Sequence, residues 1–170
     1  STKILPHNFN ELIDTSIKVL KGVTPKIYPD FHTGGMADFS NYNDGKRGGR
    51  IRVRAKILQV DNSTLIVSEI PFQVNKADMI KKTADLINDG KIEGISDIRD
   101  ESDRKGMSIV IMTKRDSNPE IVLNQLYKHS MLQTSFGIIM LALHNDQPRV
   151  MNLKQIINYF IAHRREVVTR

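Results

Sequence analysis

Arg50-Ile51-Arg52-Val53-Arg54-Ala55-Lys56-Ile57 is the stretch on which the architecture turns. Basic residues hold the even positions and apolar residues the odd ones. Side chains of a strand alternate between faces, so the segment predicts a strand with one apolar and one wholly cationic face. Cations on one face stand about 6.6 Å apart, two strand steps, and repel one another. A repeating polyanion such as a nucleic-acid backbone would relieve that repulsion. A half-exposed sheet whose neighbouring strand supplies acids would relieve it too. Both readings stay open on the alternation itself.

Upstream, Asn43-Asp44-Gly45-Lys46-Arg47-Gly48-Gly49 adds a glycine-rich loop with two further cations. Glycine lets a backbone approach a phosphate closely and present its N–H groups. From Lys46 to Lys56 there are six basic residues and no acidic one, which tilts the balance toward an anionic partner. Downstream, Asp61-Asn62-Ser63 reads as a turn between strands over residues 50–60 and 64–70. Pro71 ends the second ladder.

The remaining elements follow from caps and periodicity. Asn8 with Glu11 opens a helix whose Phe9, Leu12, Ile13, Ile17 and Leu20 recur at helical spacing, and Gly22 stops it. Residues 23–49 read as irregular. Asn75 opens a second helix with Ala77, Ile80, Ala84 and Ile87 as its buried stripe and Gly90 as its end. Residues 95–98 suggest a short strand. An acidic turn from Arg99 to Asp103 leads to an apolar strand over 107–113, covered on both faces. Asn118-Pro119-Glu120 supplies a cap, a proline at the first helical position and an acid in the first turn of a helix ending near His129. Residues 138–143 are another strand candidate. Asn152 with Gln155 caps a last helix, where Leu153, Ile156, Ile157, Phe160, Arg164, Val167 and Val168 trace a near-heptad stripe that predicts a coiled-coil continuation. This order of strands and helices points to an α+β fold with a mainly antiparallel sheet.

Composition narrows the function classes. The formal net charge of +6 and a pI near 9.6 favour an anionic partner. The absence of cysteine excludes disulfides, thiol catalysis and Cys-ligated metals. No apolar run approaches the roughly 20 residues of a membrane span. Ser1-Thr2-Lys3-Ile4 has no signal-peptide shape. Both ends are expected to be cut from a longer protein, the C-terminal one inside a helical pattern.

Catalytic constellations are missing from the pattern. His7, His32, His129, His144 and His163 do not pair at metal-ligand spacing, so surface or capping roles are expected. Asp97, Asp100, Glu101 and Asp103 imitate a hard-cation site. They lack calcium-loop spacing, and Arg99, Arg104 and Lys105 crowd them, which favours a solvated turn. There is no P-loop, G-x-S-x-G or G-x-G-x-x-G. Tyr28, Tyr42, Tyr127 and Tyr159 have no adjacent general base in sequence. No catalytic and no metal-ligating residue is assigned; the residues describe a binding domain or part of one.

Several segments together resemble the A subunit of bacterial type II DNA topoisomerases, DNA gyrase or topoisomerase IV. They include Leu5-Pro6-His7-Asn8, Pro29-Asp30-Phe31-His32-Thr33-Gly34-Gly35, and Glu69-Ile70-Pro71-Phe72-Gln73-Val74-Asn75-Lys76. Glu93-Gly94-Ile95-Ser96 running into Arg99-Asp100-Glu101-Ser102-Asp103, Ser135-Phe136-Gly137, Ala142-Leu143-His144, Met151-Asn152-Leu153-Lys154 and His163-Arg164-Arg165-Glu166-Val167-Val168 follow in the same order. The match extends over nearly the whole chain. Residues 73–76 and 93–103 look more gyrase-like, while the loop from Asn43 to Gly49 and the start of the chain look like some topoisomerase IV A subunits.

The resemblance implies a tower domain over residues 1–150 and the start of the coiled-coil arm helix over 151–170. It implies a role in binding and bending the gate DNA segment during ATP-dependent double-strand passage that changes supercoiling. In the family the domain carrying the nucleophilic tyrosine precedes the Leu5-Pro6-His7-Asn8 region, and none of the four tyrosines here matches it. The piece alone is therefore expected to be inactive. Mg2+ and ATP act through the partner B subunit in the family. The implied partners are double-stranded DNA, the B subunit, plus a second A subunit in a heterotetramer, in the bacterial cytoplasm at the nucleoid and away from membranes. Lys46, Arg47, Arg50, Arg52, Arg54 and Lys56 would contact phosphates. Met36, at a position usually isoleucine, would wedge between base pairs, which costs about a few kcal/mol of unstacking. Two alternatives stand beside these. Met36 would be an ordinary packed loop residue, and the basic face would pair acids on the B subunit in a mainly architectural connector.

Overall fold

Asparagine side chains open the helices of the computed structural model, which describes residues 4–170. Asn8, Asn75, Asn118 and Asn152 each accept a hydrogen bond from a backbone N–H of the first turn, relieving donors that have no partner within the helix. They start α1 (Phe9–Leu20), α2 (Lys76–Asn88), α3 (Pro119–His129) and α4 (Leu153–Thr169). At α4 the Gln155 side chain bonds back to the Asn152 N–H, completing the expected capping box. Ser1, Thr2 and Lys3 lie outside the described residues, and the N-terminal expectation lies largely with them.

Nine strands are present among the described residues: β1 (Met36–Asp38), β2 (Gly49–Arg54), β3 (Lys56–Asp61), β4 (Thr64–Glu69), β5 (Ile95–Asp100), β6 (Ile109–Thr113), β7 (Gln133–Ile138), β8 (Leu141–His144) and β9 (Gln147–Val150). They form a three-stranded sheet in the order β1-β2-β7, a four-stranded sheet in the order β3-β4-β6-β5 and the β8-β9 hairpin. The β1–β2 pair, the four-stranded sheet and the hairpin are antiparallel, as the α+β reading expects.

The chain divides into two compact units. One takes the chain up to His32, then Phe39–Ile51 and Phe136–Arg170; the other takes Thr33–Asp38 and Arg52–Ser135. The second unit holds the larger core. Leu65, Val67, Ile109 and Ile111 of the sheet meet Met79 of α2 and Val122 and Leu126 of α3. On β6, Ile109, Val110, Ile111 and Thr113 are all buried, so that strand is covered on both faces as expected. The buried line of α2 runs through Met79 and Thr83, while Ala77 is exposed. Thr83 is wholly buried because its hydroxyl donates to the Met79 carbonyl at 2.7 Å. A stripe read from apolar residues alone passes over it.

In the first unit, α1 buries Thr15 and Val19. The predicted apolar stripe of Phe9, Ile13, Ile17 and Leu20 faces out, and the far end of α4 is exposed as well. The β8-β9 hairpin closes through Asn145 and Asp146, both in the left-handed region with φ of 50° and 59°. Paired positive φ values match the two-residue turn whose twist suits a hairpin.

Three sequence expectations are corrected here. Residues 23–49 are not wholly irregular, because they contain β1. The single strand expected over 50–60 is two: the Ala55 N–H turns to the Leu132 carbonyl at 2.8 Å, and the chain leaves one sheet for the other between Arg54 and Lys56. The strand expected over 138–143 is also broken. Met140 gives its N–H to the Gly45 carbonyl and accepts from the Met151 N–H, so β7 stops before it and β8 starts after it.

Candidate nucleic-acid interface

Alternation survives the break at Ala55. Ile51, Val53 and Ala55 are buried, and Arg50, Arg52, Arg54 and Lys56 are exposed. The burial of the apolar face holds the cations outward with no help from their own side chains. Arg50, Arg52 and Lys56 stand in no salt bridge among the described residues.

In the second unit, β1 sets the surroundings of Arg52 and Arg54. Met36 pairs with Arg54, Ala37 with Val53 and Asp38 with Arg52. Opposed residues of an antiparallel pair share a face, so Met36, Asp38, Arg52 and Arg54 lie on one side. With Ala37 they line a cavity of about 180 Å3. Met36 is 70% exposed at the start of β1. Gly35 precedes it at φ +120°, where a Cβ would run into the Arg54 carbonyl oxygen. Glycine is thus what lets the chain enter β1 at this distance from β2. Lys56, at the start of β3, stands opposite Glu69 of β4. Neighbouring strands do supply acids, Asp38 and Glu69, but the cations still outnumber them.

Arg54 differs from its neighbours on the strand. Its Nε donates to Gln133 Oε1 at 2.6 Å, and its guanidinium carbon lies 4.8 Å from the centroid of the Tyr127 ring. Burial pushes the Tyr127 hydroxyl up, and the Arg54 charge opposes that shift. The ring therefore stays neutral at physiological pH and offers its face to the cation.

In the first unit, Lys46 and Arg47 are exposed on the loop before β2. Asp44 and Gly45 take positive φ, and the turn closes through Lys46 N–H donating to the Asn43 carbonyl at 2.9 Å. Gly45 accepts from Met140 N–H at 2.9 Å, and Arg50 N–H donates to the Asn41 carbonyl at 3.2 Å. The Lys46 and Arg50 amides are thus spent inside the loop. The cationic side chains, more than those amides, remain for an anion.

The tyrosines have structural surroundings. Tyr28, Phe39 and Tyr42 cluster with centroids 5.0–6.1 Å apart. Burial pushes the Tyr42 hydroxyl up to about 12, the direction opposite to that of an activated nucleophile. Tyr159 stacks on His144 at 3.7 Å between centroids. His7 bonds the Leu5 carbonyl through Nδ1, and burial pulls its pKa down. The acidic turn expected from Arg99 starts later, because β5 runs on through Asp100. Its side chains have partners: Asp100 meets Lys76 of α2 at 2.9 Å and accepts from Ser102 N–H at 3.0 Å, while Arg99 pairs with Asp97 and Glu101. Among the described residues, no three His, Cys, Asp or Glu side chains gather into a metal-binding group. No helix there is long and apolar enough to cross a membrane.

Comparison with known proteins gives this surface its context. The DNA gyrase/topoisomerase IV A-subunit family matches the chain over residues 1–170. The chain belongs to that family. The DNA gyrase A subunit of Salmonella typhimurium is 47% identical over 188 aligned residues, covering 100% of this chain and 21% of that protein. The Escherichia coli gyrase A protein is likewise 47% identical, over 189 residues with the same coverage. That of Clostridium acetobutylicum is 44% identical over 187 residues, with 100% and 22% covered. The chain spans about a fifth of the length of these gyrase A proteins.

For this member of the gyrase/topoisomerase IV A-subunit family, the structure brings Met36, Arg52 and Arg54 to one cavity. It leaves Lys56 on a different sheet and Lys46, Arg47 and Arg50 in the other compact unit. The sequence pattern did not mark Asp38 or Gln133, and it marked Tyr127 only as a tyrosine without an adjacent base. Gln133 is 79 positions from Arg54, and only the fold joins them.

Proposed function

We propose that this chain is the DNA-binding tower portion of a type II DNA topoisomerase of the gyrase kind, within its A subunit. It grips and helps bend the gate duplex while the assembled enzyme passes a second duplex through the break at the expense of ATP. The observation that carries the reading is the row of exposed cations on β2, with the projecting Met36 opposite Arg54. Phosphate contacts position a protein on DNA without reading sequence. Lys46, Arg47, Arg50, Arg52, Arg54 and Lys56 fill that role, and Met36 serves as the apolar wedge that unstacks a base step. Binding along the row offsets a bending cost of roughly 1–6 kcal/mol for a smooth bend.

In this reading the chain supplies no cleaving tyrosine. Mg2+ and ATP belong to the B subunit, and no chemical step runs through Asp97, Asp100 and Glu101, which are occupied by Lys76, Arg99 and Ser102. The partners are duplex DNA, the B subunit, plus a second A subunit.

Fluorescence anisotropy of a labelled duplex across a salt series tests the reading. Binding is weak, independent of sequence and salt-sensitive. Changing Arg50, Arg52 and Arg54 to Ala lowers the slope of log affinity on log salt by about 0.9 for each phosphate no longer neutralised. A triple variant with unchanged affinity and slope refutes it. If that variant instead loses the B subunit in a pull-down, the basic face is a connector between subunits.

A further inference from the structure

Arg50, Arg52 and Lys56 are exposed, whereas Arg54 is held at two points. Gln133 Oε1 takes its Nε–H at 2.6 Å, and the Tyr127 ring covers its guanidinium at 4.8 Å. The backbone beside both residues is tied as well, because Ala55 N–H donates to the Leu132 carbonyl at 2.8 Å. Gln133 and Arg54 are thus locked side by side by their own chain neighbours. A guanidinium carries five N–H donors in a rigid plane. With the Nε–H committed, four remain on the two terminal nitrogens, in the fork that grips a phosphate through two parallel bonds. Directly across the ladder stands Met36.

We propose that Gln133 and Tyr127 are positioning residues for Arg54: they fix its guanidinium so that the terminal fork clamps one phosphate beside Met36. The inference rests on the DNA-binding reading above. It adds that one cation of the row is preorganised while the others search, and that the rigid one sits at the step where the duplex is to be wedged. The amide of Gln133 is neutral, so it orients Arg54 without cancelling the charge that meets DNA. Tyr127 acts through its ring and not its hydroxyl.

Anisotropy titrations of a labelled duplex against salt separate the possibilities, with urea unfolding of each variant as a control. Arg54→Ala weakens binding and lowers the salt slope by about 0.9, because one phosphate is left without its cation. Gln133→Ala weakens binding about 2- to 10-fold, the size of one oriented hydrogen bond, and leaves the slope unchanged because the cation is still there. Tyr127→Phe binds like the parent chain, and Tyr127→Leu behaves like Gln133→Ala. In the Arg54→Ala background, Gln133→Ala has no further effect.

Parent-like binding by Gln133→Ala, with Arg54→Ala still weakened, overturns the positioning role and leaves DNA binding standing. So does a Gln133→Ala effect that persists without Arg54. Parent-like binding by Arg54→Ala overturns the assignment of Arg54 to DNA itself. If Tyr127→Leu does not fold, Gln133→Ala and the double variant carry the test.

Discussion

Met36 and Arg54 are directly opposed across the β1–β2 ladder, so an apolar projecting side chain and a cation leave the same face of the sheet. In the proposed DNA-binding reading the pairing joins two tasks: Met36 would enter between bases, and Arg54 would hold the backbone beside the opened step.

Met36→Ala separates those tasks. The variant keeps every cation, so the salt slope of duplex binding is that of the parent chain. The bend disappears, because the wedge that unstacks the step is gone. Energy transfer between dyes at the two duplex ends reports it: bending is seen with the parent chain and with Met36→Ile, and falls sharply with Met36→Ala.

Gly35→Ala strains the entry to β1. The residue sits at φ +120°, and a new Cβ would meet the Arg54 carbonyl oxygen. Strain of this kind costs about 1–3 kcal/mol. Urea unfolding shows a lower midpoint, and bending falls with it because Met36 follows Gly35 directly.

Met79→Ala opens a void in the larger core. Met79 is wholly buried among residues of the four-stranded sheet and α3. Truncation costs about 2–5 kcal/mol, read as a drop in the urea midpoint at an unchanged slope. Salt-dependent DNA binding at low temperature, where the variant is still folded, matches the parent chain.

Asp100→Asn removes an acid-sensitive contribution. Hydrogen bonds from Ser102, with Lys76 beside it, hold the Asp100 carboxyl down at about 2. The unfolded value is about 3.9. A depressed folded value stabilises above the unfolded one, and the contribution is lost as pH falls through the folded one. Thermal melts show Asp100→Asn below the parent chain at pH 5–7, with the gap closing between about pH 4 and pH 2.

Much of this fold was legible because its signals are local. The four asparagine caps are read from side-chain chemistry a few residues deep, and all four hold. The cationic alternation is likewise local, and each of Arg50, Arg52, Arg54 and Lys56 faces outward. What escaped depends on distant partners. β1 is three residues long, and its existence rests on β2. The break at Ala55 is set by Leu132, and the break at Met140 by Gly45 and Met151. Thr83 was passed over because a buried hydroxyl looks polar in sequence until its bond to Met79 is seen. Gln133 and Tyr127 gave no hint of their connection to Arg54, for neither is an acid and Gln133 lies 79 positions away.

Phe9 at 74% exposure, with Ile13, Ile17 and Leu20 beside it on α1, also sets how the isolated chain behaves in a tube. A greasy helix stripe open to water drives copies of a molecule together as concentration rises. Elution volume in size-exclusion chromatography will shift with loading, and light scattering will climb in high salt, where charge repulsion between copies is screened. Salt titrations with DNA therefore belong at nanomolar protein. There the loss of binding at high salt reports phosphate contacts and not clumping.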